Sequence, residues 1–257
     1  MISICLTFKN RAGFLDGFFE KLLEQNFPMK EVEVCLADGG SGDDYLGVVQ
    51  KYYKHFYQIK TAFCDRAALP FKIASNCPAC DRNSLIANMA SFEKVVVTDP
   101  EVRFRDKEWL QYTHDMLDEK DLLLCHKCYK LPKGVTDLYA DVSSYSSAQF
   151  AGFCLAFNKT AFIRNGGFEE KYVFGFAGED SYFVWWWRNN YRIRQSAHPV
   201  FHLYHTPPFG NPAFRKLREE YTLPLHERLK KDNVHPNNNN PNWQRPEMIK
   251  EELIWKS

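Results

Sequence analysis

A chain of 257 residues with 33 Lys and Arg against 32 Asp and Glu carries a formal net charge of +1, which excludes a protein that binds nucleic acid by blanketing it with positive charge. A hydrophobic share of 45% and an aromatic share of 16% exclude global disorder and provide for a sizeable buried core. The length suits one large domain, or one domain with an appendage, and the longest apolar stretches, such as 122–125 and 183–187, fall far short of the roughly 20 residues that span a bilayer.

The N-terminus, 1–8, has no basic leader and no small-residue cleavage site, so it reads as a first strand rather than a signal peptide, and a cytoplasmic chain is expected. Ile2 to Phe8 and Glu31 to Ala37 are short, nearly continuous apolar runs of the kind that form buried parallel strands. Between them Phe14, Leu15, Phe18, Phe19, Leu22 and Leu23 recur at spacings of three and four, the face of an amphipathic helix. The alternation continues: Asp43 to Phe56 has helical spacing, Gln58 to Phe63 is strand-like, Asn83 to Phe92 suits a helix, and Lys94 to Thr98 is a Val-rich strand. Strands alternating with helices predict an α/β fold with a doubly wound, mostly parallel central sheet.

Further along, the spacing predicts helices over 106–117, 159–164 and 179–189, strands over 121–125 and 153–157, a Ser-rich loop over 136–149 and a last strand region over 191–202. Arg215 to Lys231 suits a helix, the four Asn at 237–240 between prolines read as a linker, and Glu247 to Trp255 reads as a short docking helix. The basic helix, with Arg215, Lys216, Arg218, Arg228, Lys230 and Lys231, reads as a solvated face, with contact to an anionic membrane surface or to a second copy as alternatives.

In doubly wound sheets ligands bind beyond the carboxyl ends of the strands, so the residues after each strand carry the functional argument. Asp38-Gly39-Gly40-Ser41-Gly42-Asp43-Asp44 follows the second strand; its glycines permit a tight turn, and its acids suit a nucleobase or ribose better than a phosphate, or serve as helix caps. Thr98-Asp99-Pro100-Glu101 places two carboxylates one residue apart at a strand end, where they can share a hard divalent cation with a diphosphate, although turns after strands often carry Asp and Pro. Gly178-Glu179-Asp180 opens a helix, where acids favour the dipole and where an acid can take a proton from a hydroxyl. His202 and His205 close the last strand, as packed histidines or as metal ligands. Cys77-x-x-Cys80 and Cys125-x-x-Cys128, with His126 inside the second pair, have the local spacing of a zinc site, yet the pairs stand much farther apart than the roughly 15 to 20 residues usual in compact sites. With eight Cys in a chain of this length, ordinary reduced thiols are expected.

Taken together, Thr7-Phe8-Lys9-Asn10-Arg11, the 37–43 segment, Asp81-Arg82-Asn83, the 98–101 segment, Gly166-Gly167-Phe168-Glu169-Glu170, Gly178-Glu179-Asp180 and the 201–205 segment resemble the GT-A nucleotide-sugar glycosyltransferases, closest to glycosyltransferase family 2, across residues 2 to about 208. The 174–180 stretch is also similar to the Trp-Gly-Trp-Gly-Gly-Glu-Asp segment of galactosyltransferases. The resemblance implies a GT-A domain over 1–208, with a nucleotide-binding half over 1–105 and an acceptor-binding half over 106–208, followed by a C-terminal helical extension over 209–257. It implies Thr7, Asn10, Arg11, Asp38, Arg82, Asn83 and Asp99 on the nucleotide, and Asp99, Glu101 and His202 on Mn2+ or Mg2+, with Glu101 standing where the family has a second Asp. Asp180 is implied as general base of an inverting transfer and Glu179 as the group that places the acceptor, with Phe176, Gly178, Trp186 and His205 on the acceptor side. The partners implied are a nucleotide-sugar donor, UDP-linked in the first instance, and a glycan or glycoconjugate acceptor. A non-catalytic binding module and a nucleotidyltransferase are the competing readings.

Overall fold

The computed structural model describes residues 1–68, 78–139, 141–148, 152–175, 177–206, 211–238 and 240–257. Its first half follows the expected alternation: β1 (Ile2–Phe8), α1 (Ala12–Leu23), β2 (Val32–Asp38), α2 (Tyr45–Tyr52), β3 (Gln58–Cys64), α3 (Ala79–Ser84) and β4 (Lys94–Thr98). β1 pairs in parallel with β2 on one side and with β4 on the other, and β2 pairs in parallel with β3. Because strand side chains alternate between faces, Ile4, Leu6, Val34 and Leu36 pack with α1 residues Phe18 and Phe19 on one face, while Cys5, Cys35, Val95 and Val97 join Phe157, Phe162 and Trp187 on the other.

The second half adds β5 (Val102–Phe104), α4 (Trp109–Met116), β6 (Leu122–Cys125), β7 (Cys128–Lys130), β8 (Ser147–Ala148), β9 (Cys154–Asn158), α5 (Lys159–Arg164), α6 (Glu179–Asn190), β10 (Arg192–Gln195), β11 (Val200–His202), α7 (Pro212–Leu217), α8 (Leu223–Lys231) and β12 (Ile249–Lys256). The main sheet has eight strands in the order β10-β6-β9-β4-β1-β2-β3-β12, and a four-stranded sheet, β5-β11-β7-β8, stands beside it. Among the described residues no helix is long and apolar enough to cross a membrane.

Several expectations need correction. The terminal segment is a strand, not a docking helix: β12 runs antiparallel to β3 with a break in register between Lys250 and Leu253, and it satisfies an edge whose N–H and C=O groups would otherwise be unpaired. The region 191–202 is two strands in two sheets, because Pro199 cannot continue a ladder and the chain turns at Ser196. The helix expected over 83–92 begins at Ala79 and ends in a single wide turn over Leu85–Met89. A second wide turn, Arg218–Thr222, splits the helix expected over 215–231, just before Pro224, which has no N–H to donate back along the helix.

The Asn-rich segment is not a free linker. Asn237 is buried, donates from Nδ2 to the Phe168 carbonyl (2.8 Å), accepts from Glu170 N (3.0 Å), and its backbone N–H bonds Glu169 Oε2 (2.9 Å). Arg245 closes on Glu170 at 2.9 Å in a buried ion pair. Cys80 packs on one face of the main sheet and Cys128 on the other, so the two cannot share a zinc ion; Cys77 lies outside the described residues.

Candidate active site

A cleft of about 340 Å³ opens at the carboxyl ends of β1 and β4. Of the residues singled out from the sequence, Thr7, Arg11, Asp99, Glu101, His202 and His205 line it. Its walls also include Lys9, Arg66, Asp81 and Phe153, which sequence reasoning did not assign. Arg66 carried a signal that could have found it, since it stands just after β3 as the other candidates stand after β1, β2 and β4. Phe153 precedes its strand, where that rule gives no pointer.

Glu101 is the centre of the acidic side. Arg11 Nε bonds its carboxylate, His205 Nε2 stands 3.9 Å from Oε1, and Leu203 N donates to its carbonyl at 3.0 Å, tying the 99–101 turn to the end of β11. Arg103 fixes the same turn from below, donating to the Pro100 carbonyl (2.7 Å) and to the Phe14 carbonyl (2.8 Å) in α1. Asp99 receives Arg82 Nη2 at 3.1 Å. Burial pushes its carboxyl up to about 6, against the pull of Arg82 and with help from the negative charges of Glu101 and Asp180. His202 is 8% exposed, and burial brings its imidazole down to about 4, so at neutral pH it is an uncharged ring with a lone pair to offer. The His202 and His205 rings lie 5.2 Å apart.

Arg82 joins the two acidic motifs. It reaches Asp99 with Nη2 and stands 3.6 Å from Glu179 Oε1 with Nη1, while its guanidinium lies 5.5 Å from the centre of the Phe168 ring. Glu179 and Asp180 form the first turn of α6, which the left-handed Gly178 (φ 104°) introduces. Asp180 accepts from Gly152 N at 3.0 Å and from Ser181 N at 2.6 Å, so its carboxylate is oriented by two backbone donors.

Other expected site residues are turned to structural work. Asp38 accepts from Ser41 N (2.9 Å) and Ser41 Oγ (2.6 Å), closing its own turn. Asn10 accepts from Gly42 N at 2.7 Å, and its own N–H donates to Ser41 Oγ at 2.7 Å, which stitches the β1 and β2 loops together. Asn83 is fully buried and exchanges two hydrogen bonds, both 2.8 Å, with the Phe168 backbone. Trp186, in α6, is buried edge-on against His235 (5.2 Å) and does not line the cleft. Asp38, Asn10 and Asn83 have the residue types of a polar site, but hydrogen bonds to neighbouring backbone and to Ser41 take their side chains. Phe176 lies outside the described residues.

The donor set suits a hard divalent cation in kind: two carboxylates that repel one another and an uncharged imidazole line the same space. Among the described residues no three His, Cys, Asp or Glu side chains already converge into a metal-holding group, and Arg11 and Arg82 pair with the two carboxylates.

Residues 3–67 match the profile of the Glycosyl transferase family 2. Among solved structures, S. aureus TarS 1-349 in complex with UDP matches with a TM-score of 0.60 and 22% identity over 79% of this chain and 60% of that one. The mannosyltransferase PcManGT from Pyrobaculum calidifontis, in complex with GDP-Man and Mn2+, matches with a TM-score of 0.58 and 18% identity over 94% of this chain and 67% of that one. GalNAc-T7 with UDP, GalNAc and Mn2+ matches with a TM-score of 0.59 and 13% identity over 96% of this chain and 53% of that one. The fold is therefore that of the GT-A glycosyltransferases. The chain spans about 60% of the length of the TarS structure it matches, and compared by sequence with curated proteins it matches none.

Proposed function

We propose that the protein is a metal-dependent glycosyltransferase that moves a sugar from a nucleoside diphosphate sugar, UDP-linked in the first instance, to a hydroxyl of a glycan or glycoconjugate, with inversion at the anomeric carbon. The observation that carries this reading is the meeting of Asp99, Glu101, His202 and Arg11 in one cleft at the carboxyl ends of β1 and β4. The matched structures that hold UDP, or GDP-Man with Mn2+, support the same class of ligand here.

The nucleotide would lie along Thr7, Lys9 and Arg66, with its diphosphate towards Asp99 and Glu101. Asp99, Glu101 and His202 would hold Mn2+ or Mg2+, which supplies neutralising charge for a departing diphosphate. Arg11, at the rim, adds a second cation to that neutralisation once Glu101 is engaged elsewhere. Asp180, oriented by the Gly152 and Ser181 N–H groups, would take the proton of the acceptor hydroxyl as its oxygen attacks the anomeric carbon. Glu179, held near Arg82, would position that hydroxyl. On this reading the protein acts in the cytosol, and the basic face of 212–231 is the place for contact with a membrane surface or a second copy.

Asp180→Asn keeps the shape of the site and removes the base, so turnover should fall by roughly 10²- to 10⁴-fold while nucleotide still binds. The readout is free UDP released from a UDP-sugar in the presence of acceptor. Full turnover in the variant would overturn the assignment of the base, pyrophosphate as product would mean nucleotidyl transfer, and nucleotide binding without either product would mean a non-catalytic module.

A further inference from the structure

β12 covers one edge of the main sheet, and its own outer edge has no strand partner among the described residues. Such an edge is a row of N–H and C=O groups ready to pair with another chain, which proteins blunt with charges, bulges or Pro. Here the blunting is partial. The break in register between Lys250 and Leu253, where Glu251 is left-handed (φ 52°), spoils the first part of the strand, but from Leu253 to Lys256 the strand runs on in one register with β3. Leu253 and Ile254, in that regular part, are 48% and 51% exposed and stand on opposite faces of the sheet.

The sequence of this edge is complementary to itself. Two copies related by a twofold axis make an isologous contact, so where residue i faces j of the second copy, j also faces i. For antiparallel strands the axis stands perpendicular to the sheet and keeps every side chain on its own face, and only residues of the same face can then be opposite one another. With Leu253 on the axis, Lys250 would face Lys256 and Glu252 would face Ile254. With Trp255 on the axis, Ile254 would face Lys256 and the overlap would shrink to 253–257. Centring on Glu252 or on Lys256 sets like charges face to face. With Ile254 on the axis, Ile254 meets Ile254, Leu253 meets Trp255 on either side, and each Glu252 meets a Lys256, so apolar faces apolar and acid faces base throughout 252–256. We propose that the protein dimerises by pairing β12 with β12 of a second copy, Ile254 on the twofold axis, which joins the two main sheets into one. The inference is independent of the chemistry of the cleft. Because β12 is antiparallel to β3, and β3 runs with β2, β1 and β4, the two clefts open at opposite ends of the joined sheet, and none of the described residues of β12 lines either.

A contact this short belongs with the weak, transient interfaces, with a Kd on the order of 10 to 100 μM. Sedimentation velocity of the full chain from about 5 to about 500 μM brackets that range, and should show a monomer at the low end and a growing dimer fraction at the high end. Ile254→Lys sets two like charges on the axis and should raise the Kd about tenfold. Lys256→Glu places an acid opposite Glu252 and should weaken the dimer about fivefold, and adding Glu252→Lys to it should restore the dimer, since both ion pairs return with their signs exchanged. All three positions are exposed, so an unchanged melting temperature in each variant confirms that the fold is kept. A chain that stays monomeric at about 500 μM would overturn the proposal and leave this edge to another partner. A dimer that neither Ile254→Lys nor Lys256→Glu weakens would overturn it in favour of another surface, and a dimer that Lys256→Glu weakens but the exchanged pair does not restore would overturn the register.

Discussion

Gly178→Ala tests the link between the C-terminal helices and the acid pair of α6. Gly178 has φ 104° and ψ −13°, a left-handed conformation that costs an L-residue with a side chain about 1 to 2 kcal/mol. The added Cβ would also stand 2.9 Å from Thr222 Cγ2 and 2.9 Å from Tyr172 Cε1. Neither neighbour can give way easily: Thr222 is 3% exposed, Tyr172 is fully buried, and the Tyr172 hydroxyl is fixed 2.6 Å from His226 Nδ1 in α8. Forcing a methyl into such packing costs typically about 1 to 3 kcal/mol, so the whole perturbation should destabilise the protein by about 2 to 5 kcal/mol. Urea unfolding measures this directly. Relief of the clash moves the backbone that leads into Glu179 and Asp180, and a displacement near 1 Å at reacting groups costs on the order of 10² in rate. In the Gly178→Ala background Thr222→Ser removes the clashing methyl and should return part of the lost stability. A Gly178→Ala variant within about 0.5 kcal/mol of wild type, the range of an ordinary surface change, would refute the reasoning.

Two further predictions concern the frame around the site. His126 is fully buried beside Trp109, whose Nε1 donates to it at 3.0 Å, and burial lowers its imidazole from 6.5 to about 4. The unfolded chain therefore binds the proton first as pH falls: the contribution is fully present above about 6.5 and is lost between there and about 4, roughly 2 kcal/mol of it between pH 7 and pH 5. Urea unfolding at the two pH values should show His126→Gln losing about 2 kcal/mol less than wild type over that interval, and equal losses would contradict the buried neutral imidazole. Asn237→Ala should cost roughly 2 to 4 kcal/mol, because it takes away the acceptor of the Glu170 N–H and the Nδ2 donor of the Gly166 carbonyl, while the Phe168 carbonyl keeps its bond from Asn83, whereas Asn238→Ala, at an exposed position, should be near neutral in thermal unfolding. Similar effects at the two positions would restore the reading of this segment as a linker.

The parts of the fold that the sequence announces are those whose cause is local. β1, β2 and β4 are buried on both faces, so their apolar runs are unbroken, and the acids at their ends stand out. That is why Thr7, Arg11, Asp99, Glu101, His202 and His205 could be named before any coordinates and are found in one cleft. β12 could not be read in the same way, since Leu253 and Ile254 are half exposed and what makes the segment a strand is the open edge of β3 far away in sequence. Asp38, Asn10 and Asn83 show a second limit: residue type reveals a capacity for polar contact, but Ser41, Gly42 and the Phe168 backbone decide where that capacity goes. Arg66 and Asp81 show the converse, an ion pair lining the cleft whose members stand 15 residues apart and meet only in the folded chain.

The central claim, that this cleft holds a metal-bound nucleoside diphosphate, is tested most directly by thermal unfolding of the protein with UDP and with GDP, each with and without Mn2+, and again on Asp99→Ala. Ligand at 100 times its dissociation constant stabilises by about 2.7 kcal/mol, which for a chain of this size raises the melting temperature by several degrees. The account predicts such a rise for at least one nucleotide, dependent on Mn2+ and lost in Asp99→Ala. A rise that is the same without Mn2+ and in the variant, or no rise with either nucleotide, would contradict it.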